Sequence, residues 1–258
     1  MTEHTIFIVA GEPSGDLHGA NLARAIRRIE PSIVLHGIGG EQMSAAGMEL
    51  RHDLAREAIM GFTEVLRKFG RIHAIFRDTV KFLENNRPDL LILIDYPGFN
   101  LRLAECAKRL DMKTVYYICP QVWAWGKRRV EQIARFVEKV LVILDFEESI
   151  YKGAGVNVEF VGHPLIDHIE KTRLDEKFIA ERKKTQGITL GLLPGSRPQE
   201  VRRHLPIMLR STGILCQELP DPHFVVACPN ERMGRLAQQI LDKWRHRETR
   251  KKQESRLR

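Results

Sequence analysis

Short runs of Val, Ile and Leu alternate along the chain with longer stretches in which apolar residues recur every three or four positions. The first pattern suits strands buried on both faces and the second suits amphipathic helices, so their alternation predicts an α/β fold with a parallel sheet covered on both sides. Strands are expected near residues 5–10, 33–37, 90–95, 114–118, 140–144 and 158–161, with helices in most of the gaps. After Gly162-His163-Pro164 comes a polar, Lys-rich helical stretch at 175–184. A second cycle then begins, with a strand at 188–193, a helix at 198–219, a strand at 223–228 and a helix at 231–244. The expected organisation is a first lobe over 1–170, a partial second lobe over 171–242 and a tail over 243–258. Two strands cannot close a doubly wound sheet of about five or six strands, so the second lobe reads as unfinished and the chain as a shortened one.

Charge changes this picture at one place. The net charge is +8, but residues 243–258 hold eight Lys or Arg against two Glu, so the other 242 residues are nearly neutral. A basic run with almost no apolar residues is expected to be a solvated, disordered tail, and nucleic acid is not an expected partner. Cys106, Cys119, Cys216 and Cys228 lie too far apart for a zinc motif or a disulfide framework, and no metal or cofactor is expected. An acid near the N-terminus argues against a signal peptide, and no apolar run approaches the ~20 residues of a membrane span, so any membrane contact is expected to be peripheral.

Three segments carry candidate chemistry. Gly11-Glu12-Pro13-Ser14-Gly15-Asp16 follows the first strand, where an α/β sheet presents its ligand site, and it matches neither a dinucleotide nor a Walker A fingerprint. Glu12, Ser14 and Asp16 offer acceptors suited to sugar hydroxyls, and Gly15 would allow close approach; the same residues also read as a capped turn. The buried strand 90–94 ends in Asp95-Tyr96-Pro97-Gly98-Phe99-Asn100. A carboxylate at that edge, backed by a low-dielectric strand, is a general-base candidate, or else a helix cap. Leu193-Pro194-Gly195-Ser196-Arg197-Pro198-Gln199-Glu200 opens the second lobe's first helix, with Ser196 and Gln199 at capping-box spacing. Free amides there, with Arg197, would suit a diphosphate, or else the segment is a well-capped helix start with an exposed Arg.

Between residues 60 and 83 an apolar stripe at helical spacing includes Phe62, Val65, Leu66, Phe69, Ile72 and Phe76, flanked by Arg67, Lys68, Arg71, Arg77 and Lys81. It reads either as core or as a helical hairpin dipping into an anionic membrane interface. His163 reads as a turn residue, and Trp123 and Trp125 as packing groups.

Taken together, the segments 11–16, 95–100, 193–200 and Pro120-Gln121-Val122-Trp123-Ala124-Trp125 closely resemble the lipid-A-disaccharide synthase family, and 60–66 and Gly162-His163-Pro164 fit the same pattern. The resemblance runs from about residue 5 to residue 230 and implies a GT-B-like fold of two Rossmann-type lobes, the first on the acceptor side and the second holding the nucleotide sugar. It implies a transferase joining UDP-2,3-diacylglucosamine to 2,3-diacylglucosamine 1-phosphate, giving the β-1,6-linked lipid A disaccharide 1-phosphate and UDP without a metal. Asp95 would act as base. Glu12, Ser14, Gly15, Asp16 and Asn100 would contact substrate, and Gly195, Ser196, Arg197 and Glu200 the nucleotide. The protein is then expected in the cytoplasm, at the inner membrane surface, with a homodimer possible. The family's later nucleotide-holding motifs do not follow residue 230, so catalysis by these residues is expected to be weak. The competing readings are a lipid-binding fragment without turnover and another UDP-sugar transferase acting on a membrane glycolipid.

Overall fold

The computed structural model describes residues 4–54, 65–120 and 127–256. They divide into two compact units, Met1–Lys171 and Thr172–Arg258.

The first unit is built on a seven-stranded, wholly parallel sheet of order β3-β2-β1-β4-β5-β6-β7, namely β1 (Thr5–Ala10), β2 (Val34–Gly39), β3 (Glu49–Asp53), β4 (Leu90–Ile94), β5 (Thr114–Tyr117), β6 (Lys139–Val142) and β7 (Val158–Phe160). Successive side chains of a strand face opposite ways, so the continuous apolar runs of β1 and β4 feed two cores. Phe7, Val9, Leu91 and Leu93 join the larger cluster on one face, while Ile6, Ile8, Ala10, Ile92 and Ile94 join the smaller one on the other. The connecting helices are α1 (Pro13–Ile29), α2 (Glu41–Ala45), α3 (Val65–Asn86), α4 (Pro97–Arg109), α5 (Lys127–Phe136), α6 (Asp145–Gly153) and α7 (Pro164–Lys171).

The order of strands reverses between β1 and β4, which is where an open α/β sheet parts its loops to admit a ligand. Their register pairs Ala10 with Ile94, so the next residues in each chain segment, Gly11 and Asp95, leave the sheet side by side. Strand β3 and helix α2 were not expected: each is five residues long, and the half-exposed, charged Glu49–Asp53 carries little apolar signal.

The second unit contains α8 (Glu176–Lys184), β8 (Thr189–Leu192), α9 (Pro198–Glu218), β9 (His223–Val226) and α10 (Glu231–Arg256). Its described sheet has two parallel strands, with a core of Val201, Leu205, Leu209, Met233 and Ala237 joined by Trp244. Two expectations are corrected. Helix α10 continues through the basic run to Arg256, so those residues form a helix rather than a disordered tail. Helix α9 begins at Pro198 with Arg197 as its N-cap, not Ser196.

Candidate functional site

At the end of β4 the backbone turns abruptly. Asp95 has φ +46° and Tyr96 φ +48° and ψ 57°, and at the end of the neighbouring β5 Ile118 has φ +57°. Each non-glycine residue in the left-handed region costs about 1–3 kcal/mol, so three clustered on one sheet edge mark a place where geometry overrides local preference. Pro97 then starts α4 with its ring in the first turn, where a missing amide hydrogen is harmless.

The turn holds Asp95 partly buried above the sheet edge. Burial pushes its carboxyl above the ordinary aspartate value, and the hydrogen bond from the Tyr96 amide only partly counters this. A carboxylate raised toward the working pH range by desolvation is the form in which Asp serves as a general base. Beside it, the ring of Tyr96 lies over the backbone of Gly11, joining the two loops. Burial, and then the charge of Glu12, hold the Tyr96 phenol above its ordinary value. Glu12 is half-buried and Ser14 exposed, so both remain available at this edge. His18 adds a group that sequence reasoning passed over: its Nδ1 is buried without a partner among the described residues, and burial, then His163, lower its pKa.

Other residues expected to touch substrate have structural work. Asp16 is 4% exposed; Oδ1 accepts hydrogen bonds from the amides of Gly40 (2.8 Å) and Met43 (3.0 Å), and Oδ2 from Gln42 (3.0 Å). It therefore caps α2 from across the sheet edge, with both carboxylate oxygens engaged in hydrogen bonds of the fold. A surface cavity of about 840 Å³ runs beside it, bordered by Pro13, Asp16, Gln42, Arg51 and His52. Gly15 is buried, and a β-carbon there would meet the Ala10 side chain at 3.3 Å, so its smallness serves the packing of α1 on β1. Asn100 is fully buried, and its Nδ2 donates to the carbonyl oxygens of Ile94 (3.1 Å) and Asp95 (2.7 Å). It holds the Asp95 turn and does not reach solvent.

In the second unit, Gly195 has φ +117°, a conformation other residues rarely adopt. The loop it opens is closed by Glu200, whose Oε2 accepts from the amides of Ser196 (2.9 Å) and Arg197 (3.1 Å). These two hydrogen bonds hold the Glu200 carboxyl below its ordinary value. The Arg197 guanidinium lies 3.6 Å from Oε1. An anion approaching those amides would therefore have to displace a carboxylate.

Of the expected membrane-facing residues, Ile72 and Phe76 pack against the larger core, Phe76 edge-on to Phe99 at 5.3 Å between ring centroids. They belong to the fold, because the inward face of α3 needs them there. Phe62 lies outside the described residues, as do Trp123, Trp125 and the side chains of Val65, Leu66 and Phe69. Among the described residues no helix is long and apolar enough to cross a membrane. His163 is a turn residue, its Nδ1 accepting from the amide of Leu165 at 3.2 Å.

A family model described as lipid-A-disaccharide synthetase matches residues 6–255. The chain is 47% identical over 222 residues to the lipid-A-disaccharide synthase of Trichlorobacter lovleyi, covering 86% of this chain and 58% of that protein. It is 45% identical over 231 residues to that of Syntrophus aciditrophicus, covering 89% and 60% respectively. The chain thus spans less than two thirds of the length of these relatives. Among solved structures, UDP-GlcNAc 2-epimerase from Neisseria meningitidis bound to UDP-GlcNAc superposes with TM-score 0.60 at 11% identity, covering 93% of this chain and 70% of that one. The Methanocaldococcus jannaschii enzyme gives 0.54 at 14% identity, covering 94% and 70%. These likenesses bear on the fold alone, which is GT-B-like.

Proposed function

The chain belongs to the lipid-A-disaccharide synthetase family, and on that footing we propose that it takes part in lipid A synthesis as a glycosyltransferase. Its substrates are UDP-2,3-diacylglucosamine as donor and 2,3-diacylglucosamine 1-phosphate as acceptor. The observation that carries this reading is Asp95, a partly buried carboxylate of raised pKa, held in a left-handed turn at the reversal point of the sheet.

In this reading the acceptor hydroxyl attacks the donor's anomeric carbon and its proton passes to Asp95, while the bond from that carbon to the UDP oxygen breaks. Glu12 and Ser14 orient sugar hydroxyls. In the second unit, Arg197 and the amides of Ser196 and Arg197 suit a diphosphate once Glu200 has swung aside. Apolar residues Phe62, Val65, Leu66 and Phe69, with Arg67 and Lys68 among them, would rest the protein on the inner membrane's cytoplasmic face, where both acylated substrates reside. A homodimer fits the same reading.

A second reading, lipid binding without turnover by these 258 residues, is favoured by the two-stranded described sheet of the second unit. UDP release measured with both acylated sugars present, and with either omitted, tests the first reading. Release that requires both substrates supports transfer. Vesicle and acceptor binding with no release would favour the second reading.

A further inference from the structure

The carbonyl oxygen of Asp95 receives two buried donors from different elements. Asn100 Nδ2, on α4, lies 2.7 Å away and the Tyr116 hydroxyl, on β5, 2.6 Å away. Both donors are fully buried. The second hydrogen of the Asn100 amide is used on the Ile94 carbonyl at 3.1 Å, so the Asn100 donors are fully committed to the end of β4. Burial holds the Tyr116 phenol well above its ordinary value, which keeps it a protonated donor at any working pH.

We propose that Tyr116 and Asn100 are positioning residues that lock the Asp95–Tyr96 pair in its left-handed turn by gripping the Asp95 carbonyl from both sides. The alternation along β4 shows what the lock prevents. Leu91 and Leu93 face the larger core, and Ile92 and Ile94 the smaller, so a strand continued by one more residue would turn Asp95 toward the larger apolar core. Two left-handed residues in succession break that alternation and lift the carboxylate onto the sheet edge beside Gly11. Neither donor needs to reach substrate to do this, and both are walled off from solvent. Their effect on catalysis rests on the reading of Asp95 as the base.

The test uses Tyr116→Phe, which keeps the ring and removes one hydroxyl, and Asn100→Ala. The first measurement, in the 258-residue protein, is the 13Cα and 13Cβ chemical shifts of Asp95 and Tyr96, which report backbone conformation directly. Each variant is expected to move these shifts from left-handed toward extended values, while those of Val201 in the second unit stay fixed. The second measurement is the transfer assay on the same protein. There the expected result is a fall in kcat of about tenfold or more, with KM within about twofold, because a displaced base costs rate more than binding. The acid limb of the pH–rate profile should also move to lower pH, since a carboxyl released into water loses the burial that raises its pKa. Unchanged shifts in both folded variants would overturn the lock, whatever the assay gives. If Tyr116→Phe does not fold, the Asn100→Ala shifts decide. Altered shifts together with full transfer by Asp95→Asn would leave the lock standing and remove Asp95 as base.

Discussion

The aromatic ring of Tyr96 occupies the space that a side chain at Gly11 would fill, so the turn after β4 and the turn after β1 are packed one on the other. Gly11→Ala should displace the ring. Overpacking of this kind costs about 1–3 kcal/mol, to be read from urea unfolding. Gly98→Ala, on α4 with no described residue against it, is the matched control and should be neutral or slightly stabilising.

Asp16 caps α2 through three amide hydrogen bonds while almost completely buried. Asp16→Ala strands those amides, and each buried donor left unsatisfied costs about 1–3 kcal/mol, so a total loss of at least about 2 kcal/mol is expected. Exposed Ser14→Ala should stay within about 0.5 kcal/mol. A substrate-contacting Asp16 would behave the opposite way, with binding lost and stability kept.

Asp95 makes stability depend on pH. Its folded pKa lies above the unfolded one, so the stability it contributes is fully present below the unfolded pKa and is lost as pH rises through the folded value. At neutral pH the ionised group is therefore a burden on the fold. Asp95→Asn should raise the melting temperature at pH 7, with the difference shrinking as pH falls through the acidic range. Equal melting temperatures at pH 7 would mean that the carboxylate is well solvated.

The proposed membrane contact and the packing of α3 can be separated by substitution. Phe62→Ser, Leu66→Ser and Phe69→Ser together should reduce sedimentation with vesicles containing anionic lipid, while the melting temperature holds. Phe76→Ser, which loses the contact with Phe99 and the core, should instead destabilise the protein by about 3 kcal/mol. Retained vesicle binding by the triple variant would exclude this segment as the contact.

What the sequence showed and what it hid divide along locality. The buried run 90–94 and the turn residues after β1 and β4 are read from neighbouring residues, and the structure places them as expected. The partners of Asp16 and Asn100 were out of reach for different reasons. Asp16 bonds amides 24 to 27 residues away, on an α2 too short to announce itself. Asn100 turns back onto its own strand end, which only the left-handed turn makes possible. Tyr116 reaches Asp95 from an adjacent strand, and its own sequence neighbourhood carries no sign of that contact. The cap of α9 shifted by one residue because Glu200, not Gln199, reaches back to the free amides. The helical course of α10 past Trp244 was hidden by composition, because a charged run without apolar spacing reads equally as helix surface or tail.

The most direct test is transfer from UDP-diacylglucosamine to diacylglucosamine 1-phosphate, comparing Asp95→Asn with the unaltered protein at matched folding. A general base contributes about 10²–10⁴-fold, so the account predicts a loss of that size in kcat with little change in KM. Transfer by Asp95→Asn within a few-fold of the unaltered protein would contradict it.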